Sequence, residues 1–490
     1  MFAPLAQAQS QLPMMGDGAE MTTSAERRLG DSIIRELYRD PDYIDDPVLQ
    51  EYVQGLFQAL VHAAEARGEL SPELQERFAW QILLGRDRSV NAFALPGGYF
   101  GVHLGLIAVV ATRDELASVL AHELSHVTQR HIARLMAQQG RQTPLMLGAM
   151  VLGALAAAKN PTAAQAMMVG GHALAVQNQL NFSRDMEREA DRVGFGLMQP
   201  AGFAPQGFVA MFDKLQQANR INDNGSWPYL RSHPLTTQRI ADMHSRIPQG
   251  AAAPGAPTAE HLMMAARARV LMRPGVDTWR QWVAEPQDVG FAARPRAQRV
   301  PAWYAATLSA VQLGDHAAAR RSLRGLLADV QDDAAALRQA RLLGAEVELA
   351  AGDAAAALVH LQHDRAAQDK GGRPELLLRA QALLRSGAAA PMAGPLQTWV
   401  SAHPGDANAW QTLAQVWQQQ GQRLRAVRAE AEAQVARYDY AAAVDRFKAG
   451  QDLARSLARQ GAGGDYIEAS IIDTRLRAVQ SLLKEQAAER

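Results

Sequence analysis

A change of character near residue 250 limits what this 490-residue chain can fold into. Before it, helical periodicity alternates with short strand-like stretches. After it, the sequence is rich in Ala, Leu, Arg and Gln, with almost no strand signal. The stretch PQGAAAPGAPTAE, at the change, has the composition of a linker. We predict a disordered start or signal-peptide remnant at 1–25, a first domain at 26–248, a linker at 249–260 and a second domain at 261–490.

The first domain combines helices with a small sheet. Helical periodicity runs through ERRLGDSIIRELY and PVLQEYVQGLFQALVHAAE. A strand-like pair follows in FAWQILLGR and VNAFALPGGYFGVHLGLI, where Pro96-Gly97-Gly98 marks a turn. Helical segments dominate afterwards. The pattern predicts an α+β domain that is mostly helical.

The second domain carries internal repeats. Gly314-Asp315 is followed by Ala319 and Leu323, and Gly352-Asp353 is followed by Ala357 and Leu361 at the same offsets. Alignment of these and later positions gives unit starts near 300, 338, 373 and 407, spaced by 38, 35 and 34 residues. The later spacings match the tetratricopeptide period. We predict an all-α tetratricopeptide-repeat solenoid that binds peptides or partner proteins; a plain helical bundle is the alternative.

Charge and cysteine content exclude several functions. Lys+Arg and Asp+Glu both number 50, and no basic block stands out, which argues against nucleic acid as a partner. The chain has no cysteine, so a disulfide framework, a thiol nucleophile and a Cys-based metal site are excluded. Any metal must be held by His, Asp or Glu.

The start MFAPLAQAQSQLP is similar to the end of a secretory signal peptide, with small residues at Ala6 and Ala8. It predicts export, with a disordered terminus as the alternative. No uninterrupted apolar run reaches 18 residues, so no transmembrane helix is predicted. The apolar stretch PLMLGAMVLGALAAA is too short to span, and residues 144–172 are left as a lid, a substrate groove or a peripheral membrane contact.

The stretch LASVLAHELSHVTQRHIARLM, residues 116–136, predicts one continuous helix. His122 and His126 are four apart and share a face, so both imidazoles can bind one ion. Glu123 is placed to act on water rather than to bind the metal, as in zincin peptidases. His131 is predicted to lie on another face, at the surface. The alternative is the polar face of an ordinary surface helix.

A second helix, NFSRDMEREADRVGFGLM at residues 181–198, supplies carboxylates. Glu187 and Asp191 are four apart and share a face, whereas Glu189 points elsewhere. One of the pair can bind the metal while the other hydrogen-bonds a ligand histidine. Spacing alone does not say which of the two carboxylates would bind the metal and which would hydrogen-bond the histidine. Solvation of an acidic helix is the alternative.

Together, AHELSHVTQRH, NFSRDMEREADRVG, NAFALPGGYFGVHLGLI and SHPLTTQRIADM resemble the gluzincin metallopeptidases, the group of the CAAX prenyl proteases and the heat-shock protease HtpX. The resemblance covers roughly residues 28–245. It implies one Zn²⁺ per chain, bound by His122, His126 and Glu187, with Glu123 as general base and Asp191 as the acid behind a ligand. It also implies that the segment 91–102, beginning at Asn91, Ala92 and Phe93, is an edge strand that pairs with extended substrate.

His233 and Arg239 are further candidates in SHPLTTQRIADM. His233 is expected to reach the zinc as a removable fourth ligand, to donate to the oxyanion, or to be only a turn residue. Arg239 is a candidate for orienting a carboxylate or the substrate backbone.

The resemblance, with an exported start and C-terminal repeats, implies a periplasmic quality-control metalloendopeptidase. Its implied clients and partners are misfolded or stalled outer-membrane β-barrel proteins and their assembly machinery. A repeat domain tethered to the peptidase would hold a client near the active site. The alternative is a non-proteolytic or auto-inhibited chaperone or scaffold that works through its repeats.

Overall fold

The computed structural model describes residues 21–138, 183–220, 227–247, 255–362, 371–460 and 465–488. The apolar segment 144–172, residues 1–20 of the predicted disordered start and residues 249–254 of the predicted linker lie outside the described residues. Helix α1 begins at Thr23, within the segment 1–25, because Thr22 caps it by accepting from the Ala25 N–H.

The first half of the chain contains a small sheet and ten helices among its described residues. The strands are β1 Tyr43–Ile44, β2 Gln81–Gly85, β3 Ala92–Leu95 and β4 Tyr99–His103. The helices are α1 Thr23–Leu37, α2 Pro47–Ala66, α3 Pro72–Arg77, α4 Leu104–Val109, α5 Arg113–Thr128, α6 His131–Gln138, α7 Arg184–Met198, α8 Gln206–Arg220, α9 Tyr229–Ser232 and α10 Thr237–Arg246.

The sheet has the order β1-β2-β4-β3, so β3 forms one edge. Strands β2 and β4 are parallel, and β3 pairs antiparallel with β4 through the turn at 96–98. The strand-like stretch predicted to end in LGLI stops at His103, and the four residues that follow begin α4. The predicted sheet is therefore present, with β1 as an addition that the sequence did not signal.

The prediction for the helix that carries His122 and His126 was wrong in one respect, because residues 116–136 do not form one continuous helix. Helix α5 ends at Thr128 and α6 begins at His131. Between them Arg130 has a φ of 53°, in the left-handed region. The Arg130 guanidinium donates to the Met21 carbonyl and to the Glu26 carboxylate, which holds this break against α1.

The second half is helical throughout its described residues. Its helices are α11 Ala259–Leu271, α12 Val276–Ala284, α13 Arg296–Gln312, α14 His316–Val330, α15 Ala334–Ala350, α16 Ala354–Leu361, α17 Arg373–Arg385, α18 Ala393–Ala402, α19 Ala407–Gln419, α20 Arg423–Val435, α21 Tyr440–Arg459 and α22 Tyr466–Ala488. Short 3₁₀ turns span Glu285–Gln287, Phe291–Ala293 and Ala390–Met392.

From α13 onward the helices form successive hairpins, and the repeated Gly-Asp pair explains their turns. Gly314 adopts a φ of 73° after α13, and the Asp315 side chain accepts from the Ala318 N–H to start α14. Gly352-Asp353 repeats this arrangement between α15 and α16. The first positions of α13, α15, α17 and α19 lie within four residues of the predicted unit starts.

The hydrophobic core continues across the predicted linker. One cluster of buried side chains runs from Ile44 in β1 to Ala382 in α17. Helix α11 is buried within it, where His261 contacts the Tyr52 hydroxyl at 2.7 Å and the Val110 carbonyl at 3.1 Å. The division into two domains at 249–260 stays a prediction, but the two halves pack against each other.

A buried arginine joins the halves. Arg267 of α11 is 3 % exposed and binds Asp46, the N-cap of α2, at 2.6 and 2.8 Å. Its Nη2, which also binds Asp46, and its Nη1 donate to Glu346 of α15 at 2.6 and 2.9 Å.

Among the described residues, no helix combines the length and apolar character that a membrane span requires.

Candidate metal centre

Helix α7 packs closely on α5 and brings its carboxylates to the two histidines. Gly194 makes this approach possible, because a Cβ there would lie 3.0 Å from the Ala121 carbonyl and 3.1 Å from the His122 nitrogen. Glu187 is seven residues earlier and therefore on the same face of α7. The close packing of the α5 and α7 backbones thus positions the Glu187 carboxylate next to the two histidines of α5.

Four buried side chains, from α5, α7 and the residue that follows α9, converge on one point. His122, His126, Glu187 and His233 each offer one donor atom, and these atoms all lie within 4.8 Å of one another. His122 Nε2 is 3.0 Å from His126 Nε2 and 3.2 Å from His233 Nδ1. Glu187 Oε1 is 3.0 Å from His233 Nδ1 and 3.5 Å from His126 Nε2.

These separations fit a tetrahedral zinc site. Zinc–nitrogen bonds of about 2.0–2.1 Å correspond to edges of about 3.3 Å between neighbouring donors. The four measured donor–donor distances span 3.0–3.5 Å. The donor set of three imidazoles and one carboxylate also suits zinc rather than calcium or magnesium. The residues present therefore fit the metal.

Asp191 and Arg239 support this centre from behind. Asp191 Oδ1 lies 2.9 Å from His122 Nδ1, the nitrogen that faces away from the other donors. Arg239 binds Asp191 through two nitrogens, at 2.6 and 2.8 Å, and a third contact reaches Glu187 at 2.8 Å. The same guanidinium donates to the Pro234 carbonyl. One arginine thus fixes both carboxylates and the loop that carries His233.

The electrostatics follow from burial and these pairs. Burial acts to lower the pKa of His122, but the hydrogen bonds that its ring donates to Asp191 and Glu187 outweigh burial and raise the pKa to about 10. Burial and the neighbouring His122 hold the pKa of His126 well below its ordinary value. Although burial opposes it, the charges of His233 and His122 hold the pKa of Glu187 well below the usual range. Glu187 therefore stays charged and offers a carboxylate to a bound cation.

Glu123 lies between the edge strand and this centre. Its Oε2 accepts from the Ala94 N–H at 3.0 Å, and Tyr229 lies close to the same side chain. Burial raises the pKa of Glu123, because a carboxylate that is 1 % exposed is poorly solvated. The carboxylate is therefore a stronger base than a solvated glutamate.

His233 lies between Glu123 and the other donors. Its Nδ1 faces His122 and Glu187, while its Nε2 is 3.4 Å from Glu123 Oε1. Tyr229 stacks on its ring with centroids 4.6 Å apart. The imidazole therefore fills the space in which Glu123 would meet a substrate.

The predicted substrate segment 91–102 is not one edge strand, because β3 forms an edge of the sheet whereas β4 lies between β2 and β3. From Asn91 through β3, the backbone groups differ in direction from residue to residue. The Asn91 carbonyl accepts from the His103 N–H and Phe93 pairs with Gly101, so both face β4. Strand backbone groups alternate in direction, which leaves Ala92 and Ala94 facing the free edge. Ala94, which the sequence analysis did not single out, is the one in contact with Glu123.

The prediction that His131 is a surface residue was wrong. The break at Arg130 turns its ring inward, where it is fully buried with its Nδ1 2.9 Å from His126 Nδ1. Glu189, set aside in the sequence analysis, reaches its other nitrogen at 3.0 Å. Tyr229 was also missed. Only its proximity to the SHP motif could have marked it.

The comparisons with known proteins agree with this geometry. The model for peptidase family M48 matches residues 47–247. A β-barrel assembly-enhancing protease of Yersinia pestis is 32% identical over 428 residues, which cover 87% of this chain and 84% of the relative.

Two further relatives carry the same kind of name. The β-barrel assembly-enhancing protease of Escherichia coli K12 is 31% identical over 407 residues, covering 82% of this chain and 79% of that protein. A Vibrio cholerae protein provisionally given this name is 36% identical over 274 residues, which cover 54% of this chain and 53% of the relative. The last alignment therefore spans about half of that protein.

Proposed function

Since the chain belongs to peptidase family M48 and is a zinc metalloendopeptidase, we propose that it cleaves misfolded or stalled outer-membrane β-barrel proteins in the periplasm. The names of the Yersinia and Escherichia relatives refer to β-barrel assembly. These names support the client class and, with it, the periplasmic compartment.

His122, His126 and Glu187 would hold the metal. The observation that carries this assignment is their convergence. Donor atoms from α5 and α7 lie within 3.5 Å of each other, close to the Glu123 carboxylate. When bound, zinc lowers the pKa of water to about 7 and polarises a carbonyl. Asp191 would fix the His122 ring by accepting its Nδ1 proton.

Glu123 would be the general base. The Ala94 N–H holds its carboxylate, and burial raises its pKa toward the range in which it can take a proton from water and return it to the leaving amine. The Tyr229 hydroxyl stays protonated, since burial raises its pKa well above the ordinary value. It is thus available as a neutral donor to the carbonyl oxygen of the scissile bond.

An extended client would pair with the free edge of β3. Ala92 and Ala94 face that edge, and because the Ala94 N–H already donates to Glu123, the remaining backbone groups of these two residues would bond a client independently of its side chains. Such pairing suits an unfolded β-rich client, whose backbone is exposed. The hairpins from α13 onward, which we assign as tetratricopeptide repeats, would hold the client or the assembly machinery beside the peptidase.

A second function, an auto-inhibited chaperone or scaffold, is favoured by the position of His233. With Nδ1 3.2 Å from His122 Nε2 and 3.0 Å from Glu187 Oε1, its imidazole is placed as a fourth metal ligand. We propose that this state is silent and that withdrawal of the loop 233–236 activates the peptidase. Pro234 and Arg239 connect that loop to the carboxylates.

A client assay tests the proposed function. The zinc-loaded protein is incubated with a urea-unfolded β-barrel outer-membrane protein and, separately, with the same barrel folded in detergent. Cleavage of the unfolded form alone, abolished in Glu123→Gln, is the expected result. Equal cleavage of both forms, or cleavage by Glu123→Gln at the wild-type rate, would contradict it.

A further inference from the structure

His131 contacts the metal centre from behind, on the side of His126 opposite the other donors. The two rings meet through their Nδ1 atoms at 2.9 Å, and both residues are fully buried. A hydrogen bond between two imidazole nitrogens requires one donor and one acceptor. The contact therefore fixes which ring carries the proton, once the state of either ring is known.

The metal side of His126 determines that direction. Its Nε2 faces His122 Nε2 at 3.0 Å and Glu187 Oε1 at 3.5 Å, so a lone pair on Nε2 is needed to bind zinc. A neutral imidazole has one N–H, which must then be on Nδ1. His126 Nδ1–H thus donates to His131 Nδ1.

The same reasoning continues one residue further. Because His131 accepts at Nδ1, its own proton is on Nε2, which lies 3.0 Å from Glu189 Oε2. Glu189 is the acceptor at the end of the chain. All the hydrogen bonds then run in one direction, from His126 through His131 to a carboxylate.

We propose that His131 and Glu189 form a positioning relay that holds zinc ligand His126 in its metal-binding tautomer. The proposal rests on the assignment of His126 as a zinc ligand. The two ligand histidines then differ: His122 donates to a carboxylate directly, at 2.9 Å, whereas His126 reaches one through an intervening imidazole. Both arrangements make the ligand nitrogen more basic and stop the ring from turning.

The local fold explains why the His131 imidazole lies between His126 and the Glu189 carboxylate. Glu189 is two residues from both Glu187 and Asp191 on α7, so it cannot share their face. The left-handed turn at Arg130 places His131 where it spans the gap between α5 and Glu189. Arg134 of α6 binds the same Glu189 oxygen at 2.8 Å and keeps that carboxylate charged.

Zinc affinity of the purified full-length chain tests the relay. Affinity is measured by competition with a chromophoric chelator, for wild type, His131→Leu and His131→Asn. Leucine fills the space but accepts nothing, so we expect zinc affinity to fall roughly 10–100-fold. Asparagine offers its Oδ1 near the former Nδ1 and should recover most of the loss. Cobalt-substituted protein adds a spectroscopic signature, since the visible bands should shift in His131→Leu and return toward wild type in His131→Asn.

Affinity within twofold of wild type for His131→Leu would overturn the relay, and so would equal losses for leucine and asparagine. If His131→Leu does not fold without metal, Glu189→Gln decides, with Arg188→Gln as its control, because Arg188 is an exposed arginine of α7 that pairs with Asp185. We expect Glu189→Gln to lower zinc affinity about threefold or more, and Arg188→Gln to stay within twofold. Wild-type affinity in Glu189→Gln would overturn the relay.

The failure of the relay is distinguishable from failure of the proposed function. If the wild-type chain binds no zinc, or if Glu187→Gln leaves zinc affinity unchanged, the metallopeptidase site itself is wrongly assigned. If wild type binds zinc and Glu187→Gln loses it while the His131 variants do not, only the relay is wrong.

Discussion

His233 Nε2 lies 3.4 Å from Glu123 Oε1, so the proposed plug contacts the proposed base. Replacing His233 by alanine should raise the rate of casein cleavage, because the space in front of Glu123 is then open. A plug seated in nine molecules of ten would suppress activity about tenfold, and an increase of about that size is expected. Zinc affinity should fall in the same variant, since one donor is lost.

The control is His244→Ala, which removes an exposed imidazole of α10 whose Nε2 lies 3.1 Å from Asp213. It should leave cleavage unchanged. A lower rate in His233→Ala would favour a catalytic donor instead of a plug. An unchanged rate would exclude both roles.

Glu123→Gln should abolish cleavage while the protein keeps its fold and its zinc. A general base contributes roughly 10²–10⁴-fold, so kcat should fall by at least 100-fold. The amide oxygen can still accept from the Ala94 N–H, which preserves the contact with β3. Because burial raises the pKa of Glu123, its charged form is disfavoured in the fold, and the variant should melt no lower than wild type. A rate within tenfold of wild type would show that Glu123 is not the base.

Asp191→Asn should weaken zinc binding roughly 10–100-fold. The variant keeps the shape of the side chain but loses the charge that Arg239 and His122 share. Competition with a chelator measures the change. Asp185→Asn, in the exposed first turn of the same helix, is the matched control and should bind zinc as wild type does. Equal affinity in the two variants would contradict the proposed support of His122.

Gly194→Ala should destabilise the protein and weaken zinc binding. The added Cβ would lie 3.0 Å from the Ala121 carbonyl, so α7 must move away from α5 and carry Glu187 with it. Gly55→Ala in α2 is the control, because no atom lies within 4 Å of the added Cβ. That change should stabilise the helix by roughly 0.5–1 kcal/mol. If both variants melt at or above the wild-type temperature, the close approach of α5 and α7 does not determine the site.

Arg267→Met should lower the free energy of unfolding by about 3–5 kcal/mol. The change leaves Asp46 and Glu346 buried without their shared cation. Urea denaturation followed by tryptophan fluorescence measures the loss. Arg280→Met removes an arginine that is 70 % exposed at its side chain and should change stability by less than about 0.5 kcal/mol. A similar midpoint for the two variants would mean that Arg267 does not join the two halves.

The sequence predicted those parts of the site that depend on helical periodicity. His122, His126 and Glu123 share one turn of α5, and the i, i+4 spacing of Glu187 and Asp191 placed both on one face of α7. Spacing could not say which carboxylate points at the donor cluster. The choice between the two carboxylates depends on how closely α7 approaches α5 at Gly194. This distance is set by the packing of two backbones and not by the sequence of either helix alone.

The parts that were missed depend on backbone conformations and contacts without a sequence signal. Arginine rarely adopts a positive φ, so the break at Arg130 and the inward turn of His131 could not be read from helical periodicity. The continuous core around α11 was missed for a similar reason. A linker composition predicts a boundary along the chain but not whether the segments on either side pack together.

The location of the metal tests the central claim most directly. Zinc-loaded crystals measured at the zinc absorption edge give an anomalous peak that fixes the ion independently of any catalytic assay. One peak per chain is expected, about 2.0–2.2 Å from His122 Nε2, His126 Nε2 and a Glu187 carboxylate oxygen. A peak bound elsewhere, or one bound by the two histidines with Glu187 well outside bonding distance, would contradict it.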